Sequence, residues 1–185
     1  MMMKKALGAL AVFAAIASTQ IGTVNAAPLG SLARQHDFSG KKLPPLQFQL
    51  FCIEHPDQCK ASSVSQVSYS PKIKNIISSV NSSVNRQIKP KQDKSDVWRI
   101  SATEGDCDDY VMTKRQRLIR AGLPASALRV AVVRTQSGEG HAVLLVKTSS
   151  GEYVLDNLRP NIVKRHQSGY RYISVSSSDP MKWTR

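Results

Sequence analysis

Apolar residues recur at helical spacing through Ile73, Ile76, Ile77, Val80, Val84 and Ile88, which predicts a helix with one buried stripe. Ser70-Pro71 supplies its start, Ser as a cap and Pro at the first helical position, and Pro90 stops it. A second helix is predicted from Asp106 or Cys107 to Ala121. Val111, the Lys114 and Arg115 stems, Leu118 and Ile119 form its inner face, and Gly122 and Pro124 close it. The period then changes to two, and residues 128–133, 141–147, 153–155 and 170–175 read as strands. Ahead of the first helix lie an irregular lead-in from 27 to about 45, a short apolar segment over 46–53 and a serine-rich connector over 61–70. Helices followed by strands make the fold class α+β.

Thr148-Ser149-Ser150-Gly151 is a hairpin loop between the second and third strands. Antiparallel partners share a constant index sum, and this loop sets it at 299, which places Asp156 opposite Val143. His141 lies two places along from Val143, so His141 and Asp156 become diagonal neighbours on one face. A slip of one residue would put them on opposite faces.

The first 26 residues read as an export signal: Lys4 and Lys5, a small and apolar run over 6–17, and a cleavage site at Val24-Asn25-Ala26. Cleavage leaves 159 residues and lowers the net charge from +13 to +11. The expected location is therefore periplasmic or secreted. No segment approaches the roughly 20 apolar residues of a membrane span. The organisation expected is a signal peptide over 1–26, a lead-in over 27–70 and a core over 71–185, the last two forming one globular domain. An exported basic chain meets anionic envelope surfaces and acidic substrates before nucleic acid, which is not an expected partner.

In an oxidising compartment the three cysteines raise the question of pairing. Cys52 and Cys59 bracket a six-residue loop that a disulfide could close, with Cys107 left as the odd thiol. The other reading keeps both reduced. Zinc at His55 with these cysteines lacks the spacing and the fourth ligand of a structural site. Cys107 stands at the second helix's start, where the positive end of the helix dipole and unpaired amides favour a thiolate. With His141 after a Gly-rich loop and Asp156 further on, the chain holds a thiol nucleophile, an imidazole proton shuttle and an orienting carboxylate. Glu104, Asp106, Asp108 and Asp109 crowd negative charge around Cys107, which opposes thiolate formation. A divalent cation would offset that charge, and oxygen ligands suit calcium. Alternatively these acids simply complement a helix N-terminus. Trp98 reads either as a cleft residue or as a core aromatic.

Over residues 81 to 183 the chain resembles the bacterial transglutaminase-like cysteine proteinases. The resemblance runs through Val84-Asn85, Trp98, Glu104-Gly105-Asp106-Cys107-Asp108-Asp109-Tyr110, Gly140-His141-Ala142-Val143-Leu144 and Val154-Leu155-Asp156-Asn157-Leu158. It implies a papain-like or transglutaminase-like core in which a helix with an N-terminal Cys packs on an antiparallel sheet. It implies Cys107 as nucleophile, His141 as general base and acid, and Asp156 as the orienting acid. The family's calcium-associated acids match Asp106 and Asp108, so calcium, and no organic cofactor, is implied. The best-known members of the family cut large surface adhesins in the periplasm and release cells from biofilm, and some are held by an inner-membrane receptor, which makes such partners expectations here.

The expected activity is that of an exported cysteine-type peptidase, a transglutaminase-like hydrolase. Acyl transfer of the transglutaminase or amidase type and a non-catalytic envelope-binding protein are the alternatives, since these three residues do not select between water and an amine as acceptor.

Overall fold

Ser70 accepts a hydrogen bond from the Ile73 amide at 3.3 Å, and the first predicted helix runs from there over Pro71–Gln87. The computed structural model describes residues 41–92 and 96–184. The signal peptide over 1–26 and the lead-in up to residue 40 lie outside the described residues. In chain order the elements are β1 (Lys41–Lys42), α1 (Leu46–Glu54), α2 (Pro71–Gln87), β2 (Lys89–Pro90), β3 (Glu104–Gly105) and α3 (Cys107–Arg120). Strands β4 (Leu128–Arg134), β5 (Gly140–Thr148), β6 (Gly151–Leu155), β7 (Val163–Lys164), β8 (Arg171–Ser176) and β9 (Trp183–Thr184) follow. No helix among the described residues is long and apolar enough to cross a membrane.

Seven strands form one antiparallel sheet in the order β1-β9-β8-β4-β5-β6-β7, and β2 pairs with β3 in a small parallel ribbon. Helix α3 lies on β5 and α2 lies on α3. The main core fills the space between helices and sheet. Ile77 and Val111, Met112 and Leu118 face Leu128, Val130, Ala142, Leu144, Val146 and Leu155 there. Val143, Leu145 and Val154 point the other way and join Ala131, Val133 and Val175 in a second cluster on the outer face. That division is the two-residue alternation of the strands.

The apolar segment before the first predicted helix is itself a helix, α1. Its Phe48 packs edge-on against Trp98 at 5.7 Å and Trp183 at 5.4 Å, so the lead-in from residue 46 contributes to the same core as the rest. Trp98 is thereby a core aromatic. Cys52 and Cys59 are joined by a disulfide, which ties the end of α1 to the following 3-10 turn and takes both sulfurs out of any zinc site.

Helix α3 departs from the expected one-sided burial. Its polar residues from Asp108 to Gln116 are buried with the apolar ones, because α1, α2, the 96–103 segment and the sheet enclose it. Several of these polar groups find partners, as burial favours, while Lys114 Nζ and Asp108 Oδ2 do not. Arg115 donates to the carbonyls of Gln58, Leu128 and Ala125, Thr113 accepts from the Ser101 amide at 3.0 Å, and Tyr110 donates to the Ile88 carbonyl at 2.6 Å. The helix ends in a Schellman motif: the Leu123 amide bonds the Leu118 carbonyl at 3.0 Å and the Gly122 amide the Ile119 carbonyl at 2.9 Å. Gly122 takes φ +91°, the left-handed conformation such an ending needs.

Candidate active site

The start of α3 is held by a close backbone approach. Asp109, fully buried, receives the Arg99 amide at 2.9 Å and pairs with the Arg99 guanidinium at 3.0 Å. Its Oδ2 lies 1.9 Å from where a Cβ on residue 105 would sit, so only glycine fits there. Cys107 then occupies the first helical position, half-buried and free of any disulfide. The Ala142 amide, next to His141 in the chain, lies near enough to the sulfur to favour its thiolate.

The hairpin adopts the register with index sum 299: Leu144 pairs with Leu155 and Thr148 with Gly151. His141 Nε2 and Asp156 Oδ1 meet at 2.9 Å, both residues buried. With Nε2 engaged, Nδ1 is the ring nitrogen left for proton exchange. The Leu158 amide donates to Asp156 Oδ1 at 3.0 Å, and the Tyr170 hydroxyl donates to Oδ2 at 2.5 Å. Asn85, on α2, donates to the Asp156 carbonyl at 2.8 Å and fixes the backbone that carries the acid. Sequence reasoning did not single out Tyr170 or assign Asn85 a role. Asn85 stood within the family resemblance, but nothing in the local pattern marks Tyr170.

Burial opposes ionisation of Asp156, yet the bonds from His141, Tyr170 and the Leu158 amide outweigh it and hold its carboxyl below the ordinary value. Burial together with the bond to Asp156 raises the Tyr170 phenol, which therefore stays a donor. At Cys107, burial pushes the thiol up to about 12; the Ala142 amide works against this, and the charges of Asp108 and Asp106 reinforce it. Asp108 is itself raised to about 9, by burial first and then by the neighbouring Asp106 carboxyl.

Donor atoms of Asp106, Cys107 and Asp108 lie within 4.8 Å of one another. Asp106 Oδ1 and Asp108 Oδ2 are buried oxygens without a hydrogen-bond partner, and they suit a hard cation that takes oxygen ligands. Lys114, two helical turns along α3 from Cys107, is fully buried with its Nζ unbonded. It lies 5.8 Å from the Tyr110 ring centroid. Burial brings its pKa down to about 7, partly opposed by the charge of Asp156. The sequence places the Lys114 stem on the inner face of the helix, and the structure encloses the amine as well.

A model of the family described as bacterial transglutaminase-like cysteine proteinase matches residues 38–185. No curated protein matches the chain. Among solved structures, calcium-bound LapG of Legionella pneumophila is similar at 20% identity and TM-score 0.55, with 84% of each chain covered. EGTA-treated LapG of the same organism is similar at 19% identity and TM-score 0.52, covering 78% of this chain and 77% of that one. At such identities the likeness speaks for the fold.

Proposed function

The chain belongs to the bacterial transglutaminase-like cysteine proteinases and is a cysteine peptidase, and from that premise we propose that Cys107, His141 and Asp156 together hydrolyse peptide bonds of a protein substrate through an acyl-enzyme. The observation that carries this reading is the buried His141–Asp156 pair, with the free Cys107 thiol influenced by the amide of Ala142, the residue next to His141.

In this reading His141 Nδ1 takes the thiol proton while the sulfur attacks the carbonyl carbon. The developing oxyanion lies at the α3 start, where unpaired amides and the helix dipole favour negative charge. The imidazolium gives its proton to the leaving amine as the C–N bond breaks, and the acyl group stays on sulfur. A water then loses a proton to Nδ1 and attacks the thioester, and the acid product leaves as the proton returns to sulfur. Asp156 keeps Nε2 protonated and stabilises the imidazolium throughout.

A thiol raised to about 12 is a poor starting point at neutral pH. Asp106 and Asp108 are the residues that would hold calcium, which would neutralise the charge that opposes thiolate formation. The calcium-bound state of one LapG structure supports this assignment.

We place the enzyme in the periplasm. The leader sequence and the Cys52–Cys59 disulfide support that, since disulfides persist in oxidising compartments. The resemblance makes a large surface adhesin the candidate substrate and an inner-membrane receptor the candidate regulator. The test adds wild type or Cys107→Ala to envelope-protein digests. A fragment that appears only with wild type supports the reading; no cleavage, with amine incorporated into glutamine instead, replaces hydrolysis by transfer.

A further inference from the structure

The outer face of the sheet carries an open groove of about 800 Å³. Its charged lining is Arg129, Lys147, Lys164 and Arg165 against a single acid, Glu152. Glu152 is already paired to Arg165 at 2.9 Å. Among the described residues, Arg129, Lys147 and Lys164 have no ion pair, and Arg129 Nε is buried without an acceptor. Cations gathered around one concavity repel each other, and an anionic occupant would relieve that repulsion.

One side chain links the groove to the candidate active site. Tyr170 lines the groove, and the Tyr170 hydroxyl donates to Asp156 Oδ2 at 2.5 Å. Lys147 lies six residues from His141 along β5, which at the rise of an extended strand is roughly 20 Å. Tyr172, covered by the Arg165 guanidinium at 4.2 Å, adds an aromatic wall. A concave, strand-length trough with aromatic sides suits an extended polypeptide better than the flat surface of a bilayer.

We propose that this groove is an exosite for an acidic segment of the protein substrate, about six residues to one side of the scissile bond. The proposal rests on the peptidase reading above and adds a charge requirement to it.

The probe is a fluorescein-labelled decapeptide of alternating Glu and Ser, titrated by anisotropy into the full chain at low salt, with a Gln-for-Glu peptide as control. The Glu peptide is expected to bind at least tenfold more tightly than the Gln peptide, and to weaken at least fivefold between 20 and 200 mM salt, on the order expected for screened contacts. Lys147→Glu with Lys164→Glu should lose at least tenfold of that affinity while melting within a few degrees of wild type; if this variant unfolds, Lys147→Gln with Lys164→Gln replaces it. Equal binding of the Glu and Gln peptides, or undiminished binding by the folded variants, overturns the exosite. Capture by phosphatidylglycerol vesicles without Glu-peptide binding also overturns it, in favour of a membrane surface. Failure of the peptidase reading is seen separately, as slow iodoacetamide alkylation of wild-type Cys107 that His141→Ala leaves unchanged.

Discussion

Tyr170 donates its hydroxyl to Asp156 Oδ2 at 2.5 Å while His141 meets Oδ1 at 2.9 Å, so the buried carboxylate is gripped from two directions. Tyr170→Phe removes one of the bonds that hold Asp156 below its ordinary pKa. The acid limb of the kcat/KM profile should move to higher pH, and stability should fall by about 1–2 kcal/mol at neutral pH. A lowered carboxyl pKa stabilises the fold above the unfolded value and is lost as pH falls through the folded one. The stability difference between Tyr170→Phe and wild type should therefore shrink in acid, as denaturant titrations at pH 7 and pH 3 would read.

Asp156→Asn keeps the hydrogen-bond geometry but reverses the tautomer offered to His141. We expect kcat/KM to drop by at least about 10²-fold with the melting temperature little changed. A variant that retains near-wild-type turnover would remove Asp156 from its assigned role.

Lys114 gives the clearest pH signature. Its folded pKa of about 7 is below the ordinary lysine value, so the unfolded chain binds the extra proton between about pH 7 and 10.5. The destabilisation is complete below pH 7 and fades as pH rises towards 10.5. Lys114→Met should thus stabilise the protein by roughly 2–4 kcal/mol at pH 6 and by markedly less at pH 9. Equal gains at the two pH values would show that the amine is not desolvated in solution.

Calcium should lower the apparent pKa of Cys107, because it neutralises carboxylates that raise the thiol. Iodoacetamide rates followed against pH should shift towards neutral when calcium replaces EGTA, and Asp108→Asn should abolish the shift. Identical curves in both buffers would leave Asp106 and Asp108 as helix-start acids alone.

Gly105→Ala drives a methyl group into the Asp109 carboxylate. The collision should break the Arg99 pairing and cost about 3 kcal/mol or more, since overpacking and a broken buried pair combine. Thermal melts measure it directly; a loss under 1 kcal/mol would mean that Asp109 has room to move.

The hairpin register was readable in the sequence because the short turn ending in Gly151 fixes the pairing of the strands that flank it, whereas the unbroken apolar run of β5, buried on both faces, selects none. Likewise α3 announced its ends through Gly122, Pro124 and the acidic first turn. Helix α1 was not readable as a helix: nine residues with apolar positions scattered around the axis show no stripe, and burial of Phe48 and Phe51 arises only once Trp98 and Trp183 arrive from distant positions. The enclosure of Lys114 escaped for a related reason. Helical periodicity identifies one buried side, whereas α3 is covered on all sides by segments remote in sequence. Tyr170 reaches Asp156 across 14 residues, and no local rule specifies that approach.

The Cys52–Cys59 crosslink leaves Cys107 as the sole thiol of a three-cysteine chain. There is accordingly no resolving partner inside the polypeptide to trap a sulfenic acid formed on that sulfur. Oxidative damage at Cys107 must be reversed by an external reductant before it advances to the sulfinic stage, so the working lifetime of each molecule is tied to the thiol supply of its surroundings.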